Sequence, residues 1–112
     1  MPVIDKAIFD ELKQMSGAEF INELIDTFLD DAPKLIGELK SALAANNADS
    51  FRRAAHSMKS NAATFGASQL AELAKALELL GKENRLHETG DRLKSLEEAV
   101  TSACDELKGM KS

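Results

Sequence analysis

The sequence predicts an all-α fold: an antiparallel up-down four-helix bundle with a short extra helix at its N-terminal end. Three observations carry this. Apolar residues recur at steps of three and four along nearly the whole chain, the spacing of one helix face. No segment alternates with period two and β-branched residues are sparse, which argues against strands. The breaks between helical segments are short, and short connections make consecutive helices antiparallel neighbours.

The first helix is expected over about 5–15, with Ile8, Phe9 and Leu12 on one side. Ser16-Gly17-Ala18-Glu19 then reads as a break and a capping box, Ser16 capping and Glu19 reaching back. A long segment follows to about 45, with Ile21, Ile25, Phe28, Ala32, Leu35 and Leu39 sharing a face. Pro33 falls inside it, where a lost N–H and a ring clash predict a kink or two abutting helices. After a turn at Asn46 and Asn47, a helix is expected over 48–65, burying Phe51, Ala55, Met58, Ala62 and Phe65. Gly66 ends it, since glycine suits the left-handed residue just past a helix. The next helix, over 68–80, buries Leu70, Leu73, Ala74 and Leu77, and residues 81–84 read as a turn. The last, over 85–108, buries Leu86, Leu93, Leu96, Val100 and Leu107, with Gly90 loosening its first turns.

One domain over 1–112 is expected, its bundle spanning about 17–108. A chain of 112 residues has no room for separate nucleotide and substrate domains. The net charge of -5 argues against general nucleic-acid binding, which needs clustered Lys and Arg. Trp and Tyr are absent, so a base-stacking platform is not expected either. The single Cys104 offers no disulfide framework and suits a reducing compartment. The N-terminus lacks a signal-peptide layout, and no apolar run approaches the roughly 18 residues of a membrane span. The expectation is a cytoplasmic monomer without direct membrane contact.

Chemistry concentrates on the third long stretch. Its core stripe uses Phe51, Ala55, Met58 and Ala62; a second stripe, turned by about 100°, holds Arg52, His56, Lys59, Ser60 and Ala63. His56 therefore stands at the edge of the core, facing out, with Arg52 one turn back and Lys59 one turn on. The small Ser60 and Ala63 leave it approachable. A neutral imidazole nitrogen is a nucleophile near pH 7, a form that nearby cations favour. The same cations would stabilise an arriving phosphoryl group. Spacing alone also fits a plain exposed histidine among solvated charges.

The run His56-Ser57-Met58-Lys59-Ser60-Asn61-Ala62-Ala63-Thr64-Phe65-Gly66-Ala67 resembles the signature of histidine phosphotransfer (HPt) domains of bacterial phosphorelays. That pattern has a lysine three residues after the histidine, a small residue next, and a glycine ten after the histidine. Leu70, Leu73-Ala74, Leu77-Glu78, the run from Phe28 to Pro33 and the stretch from Arg52 to Ala55 extend the likeness, which covers about 20–107. The resemblance implies that His56 accepts the phosphoryl group through its outer ring nitrogen and that Lys59 offsets the phosphoryl charge. It implies that Gly66 ends the helix and permits tight packing, and it sets Arg52, Ser60 and Gly66 close to the phosphoryl group. Glu78 matches a family position where Gln or Glu contacts the histidine ring, and would orient the other nitrogen. Ser60 departs from a frequent glycine and Met58 from a frequent leucine; both substitutions are mild. The implied partner is a receiver domain of a response regulator or hybrid sensor kinase. That partner would supply Mg²⁺ and the acidic pocket, so this chain needs no cofactor of its own. The chain would be a phosphoryl carrier without autokinase activity, and it has no GxxxxGK[ST] loop or Gly-rich ATP box. The alternative is a helical adaptor or inhibitor that binds signalling partners and transfers nothing.

Other features read more plainly. His87 is expected on the surface, Asp30-Asp31 on a solvated face, and Cys104 in the core. Glu83 and His87 lie one turn apart but lack the paired Glu-x-x-His motifs of a di-metal bundle. The methionines read as core filler and chain ends. Phe9, Leu12 and Phe20 read mostly as core, with a share in partner docking as the alternative.

Overall fold

The computed structural model describes residues 4–111. Five α-helices follow in order: α1 Lys6–Ser16, α2 Ala18–Ala44, α3 Ala48–Thr64, α4 Ser68–Lys82 and α5 Arg92–Met110. A 3₁₀ turn, Leu86–Glu88, precedes α5. No strand occurs among the described residues. Helices α2 to α5 pack as sequential neighbours, and α5 returns against α2 to close the bundle.

The stripes read from the sequence face inward. Phe51, Ala55, Met58 and Ala62 of α3 meet Ile21, Ile25 and Leu39 of α2, Leu70, Ala74 and Leu77 of α4, and Leu96 and Leu107 of α5 in one cluster. On α2, Ile36 is buried while Leu35 is only partly so, which moves one step of that stripe by a residue. A face seen by both α3 and α5 is wider than one row of side chains.

Four local expectations are corrected. Ser16 closes α1 instead of capping α2; Gly17 holds the N-cap position with φ 84° and no side-chain bond. At that positive φ the backbone turns between helices more sharply than a serine cap allows. α2 runs as one element through Pro33, so the alternative of two abutting helices does not hold. The proline is exposed, so on that side the Leu29 carbonyl that loses its donor can reach water. Gly81 belongs to α4, and the turn begins at Glu83. Finally, the segment from Arg85 is not one helix. Gly90 adopts φ 52°, and the buried Thr89 hydroxyl donates to the Leu86 carbonyl at 2.7 Å, separating the 3₁₀ turn from α5.

Helix α1 covers one end of the bundle, where α3 ends and α4 begins. Asp5 caps it, accepting from the amides of Ala7 and Ile8. The Asp5 amide donates to the Gly66 carbonyl at 3.1 Å and the Ile4 amide to Glu106 Oε1 at 3.0 Å. Phe9 stacks on Phe65 with centroids 6.5 Å apart, and Phe65 meets Phe28 edge-on at 5.6 Å. Phe9 is buried and Leu12 half-buried, as expected, but Phe20 is 49% exposed and Ile8 39%. Met15, also outside the core, is 85% exposed. Met58 is core, and Met1 lies outside the described residues.

Candidate functional site

Asn47 caps helix α3, its side chain accepting from the Ser50 amide at 3.1 Å. From that start the core stripe turns Phe51, Ala55 and Met58 inward and leaves His56 on the outer face, its side chain 56% exposed. Ser60 and Ala63 on the next turns are exposed and small. The ring is open to a partner's surface.

Glu78 of α4 reaches across the α3–α4 seam. Its Oε2 lies 2.6 Å from His56 Nδ1, and its Oε1 accepts from Lys59 Nζ at 2.6 Å. The carboxylate is mostly covered, at 18% exposed. The hydrogen bond from Lys59 holds its pKa below the ordinary carboxyl value; burial opposes this, and the bond to His56 adds to it. An ionised carboxylate only accepts hydrogen bonds, so Nδ1 carries the ring proton in this pair. The lone pair of the neutral ring then sits on Nε2, the nitrogen remote from Glu78.

The structure thus brings His56, Lys59 and Glu78 together. Arg52 lies one turn back, but its guanidinium binds Asp49 at 2.8 Å, as Arg53 does at 3.0 Å. The cations expected around the ring are therefore each matched by a carboxylate, Asp49 for Arg52 and Glu78 for Lys59. Spacing could have shown the first match, because Asp49, Arg52 and Arg53 stand at i, i+3 and i+4. Gly66, expected close to the phosphoryl group, is not beside His56. It lies ten residues beyond His56, about 15 Å of helix rise away. Its φ of 68° ends α3, and a Cβ there would lie 2.7 Å from the Ile8 Cβ. Gly66 thus serves the join with α1.

The residues set aside stay apart from this cluster. His87 is exposed, 3.6 Å from Glu88. Asp30 is exposed and Asp31 half-buried. Cys104 is a free thiol at the rim of the core and not within it; burial pushes its pKa up, which disfavours the reactive thiolate. No described helix is long and apolar enough to cross a membrane.

The geometry agrees with comparisons to known proteins. The family profile of the Hpt domain matches residues 23–109. The phosphorelay protein LuxU of Vibrio harveyi is 32% identical over 88 residues, which make up 79% of this chain and 77% of that protein. The crystal structure of histidine-containing phosphotransfer protein B (HptB) from Pseudomonas aeruginosa PAO1 superposes with a TM-score of 0.91 at 26% identity, covering 98% of this chain and 95% of that one. The described residues, all helical where regular and carrying an exposed histidine on α3, fit the same fold, and the chain belongs to the Hpt-domain family, a histidine phosphotransfer module of phosphorelays.

Proposed function

We propose that His56 Nε2 is the phosphoryl acceptor and donor, exchanging the group with the aspartate of a receiver domain in a response regulator or hybrid sensor kinase. The observation that carries this reading is the 2.6 Å contact between His56 Nδ1 and Glu78, on a ring otherwise open to a partner. In the forward step the Nε2 lone pair attacks the phosphorus of the aspartyl phosphate. The N–P bond forms as the bond from phosphorus to the aspartyl oxygen breaks, and the carboxylate leaves as an anion. The ring keeps its Nδ1 proton and becomes positively charged. Glu78 stands opposite that charge, and Lys59 stands where it can offset the phosphoryl oxygens. The reverse step hands the group to a second receiver.

The divalent cation and acidic pocket belong to the receiver in this scheme, and ATP is not a substrate. The lone Cys104 suits a reducing compartment, so we place the carrier in the cytoplasm. The test is transfer of label from a phosphorylated receiver. His56→Gln is expected to abolish labelling of this chain. Labelling that survives the substitution, or that fails with every receiver of the source organism, would favour the adaptor reading instead.

A further inference from the structure

Gly81 is buried in the last turn of α4, and its φ is not in the left-handed region. Neither a turn nor an unusual backbone conformation calls for glycine there. Helix propensity opposes it, since glycine is disfavoured in a helix interior relative to alanine. Space is what calls for it. A Cβ at Gly81 would lie 2.9 Å from the Arg52 Cβ, 2.9 Å from the Arg52 backbone nitrogen and 3.0 Å from the Ala48 carbonyl oxygen. Two of these three neighbours are backbone atoms of the first turn of α3, so no side-chain rotation relieves the overlap.

This crossing lies one turn from the functional cluster on both helices. Gly81 follows Glu78 by three residues, and Arg52 precedes His56 by four, so each pair shares a helix side. The helices run antiparallel, which places the Gly81–Arg52 contact directly beside the Glu78–His56 contact. Opening the seam enough for ordinary van der Waals contact, about 3.5–4.0 Å between carbons, takes roughly half to one ångström. The bonds from Glu78 to His56 and Lys59 are both 2.6 Å. The same displacement carries them to or beyond the roughly 3.2 Å limit of a good hydrogen bond.

We propose that Gly81 is a positioning residue: by letting the α4 backbone rest on that of α3, it sets the seam spacing that puts Glu78 on His56 Nδ1. The catalytic consequence rests on the phosphotransfer reading above, whereas the geometric one does not. The experiment therefore has two arms. In the first, ¹⁵N spectra of the His56 imidazole are recorded for the full chain, Glu78→Ala and Gly81→Ala. The Nδ1 signal is expected at the protonated position in the parent, moved in both variants toward the average of the two tautomers. In the second, transfer is measured over a range of receiver concentration. Gly81→Ala is expected to lower the rate at saturation to the level of Glu78→Ala, to leave KM unchanged, and to cause no further loss when combined with Glu78→Ala. A chain carrying Gly81→Ala with Arg52→Gly loses the side-chain overlap but keeps both backbone contacts. It is expected to show the same ¹⁵N movement, reduced, and serves if Gly81→Ala alone does not fold. A parent-like His56 spectrum in folded Gly81→Ala, additive losses with Glu78→Ala, or failure of both Gly81 chains to fold would each overturn the proposal. If instead His56→Gln still takes label, the phosphotransfer reading falls while the spectra of the parent and the Gly81 and Glu78 variants still decide the geometry.

Discussion

Glu78 Oε2 sits 2.6 Å from His56 Nδ1 although the residues are 22 positions apart in the chain. The contact ties the orientation of the imidazole to the packing of α4 on α3. Its second oxygen holds Lys59, so one carboxylate orients the imidazole and stations the ammonium one turn on.

Removing that carboxylate is expected to slow transfer without unfolding the bundle. A hydrogen bond to a charged group contributes about 1.5–3 kcal/mol, which corresponds to roughly a 10- to 150-fold change in rate. Glu78→Ala should lose that much in single-turnover transfer from a phosphorylated receiver. Glu78→Gln, which keeps an acceptor for Nδ1–H, should lose less. Equal rates in the parent and Glu78→Ala would show that the contact does not serve the reaction.

Lys59→Ala is expected to lower the transfer rate more than it weakens receiver docking. The ammonium is engaged with Glu78 at rest, and its charge matters most while the phosphoryl group moves. Titration of the receiver by calorimetry, beside transfer kinetics, separates the two quantities. A parallel loss in affinity and rate would contradict the assignment.

Gly66→Ala should destabilise the fold through two effects. A left-handed residue with a side chain costs about 1–2 kcal/mol, and the overlap with Ile8 adds about 1–3 kcal/mol of overpacking. Gly66→Val should be worse. Adding Ile8→Ala to Gly66→Ala removes the Ile8 Cγ2 and Cδ1 but leaves its Cβ at 2.7 Å, so it should recover only part of the overlap and none of the cost of the φ of 68°. Urea midpoints of the four chains report this; an unchanged midpoint in Gly66→Val would refute it.

Acid should weaken the cluster late. The Glu78 carboxyl is held below its ordinary value of 4.5, chiefly by Lys59. A depressed carboxyl pKa adds stability that is fully present above the unfolded value and is lost as pH falls through the lower, folded value. The stability difference between the parent and Glu78→Gln should therefore shrink only as pH drops below about 4.5, the unfolded carboxyl range. A difference that widened in acid would reverse the sign and exclude Glu78 as a stabilising carboxylate.

Much of this was legible in local spacing. The core stripe of α3 and its neighbour holding His56 and Lys59 follow from a period of 3.6 residues, because both lie on one helix whose rotation is set by what it buries. Gly66 was readable as a stop, and its φ bears this out. Sequence places Gly81 in a turn, because a glycine demanded by a neighbouring backbone looks the same in one dimension as one demanded by a positive φ. Spacing puts Phe20 mostly in the core, whereas its exposure depends on where Gly17 sends α2 after α1.

By itself the sequence determined the helical class, the inward face of each helix and the outward placement of His56 with Lys59 one turn on. Only the tertiary structure decided that the Glu78 carboxylate holds Lys59 as well as the His56 ring, and that α4 approaches α3 to backbone contact at Gly81. The reason is one of range. Periodicity acts within a few turns of one helix, whereas the distance between two helices is settled by the size of the side chains that meet at their crossing.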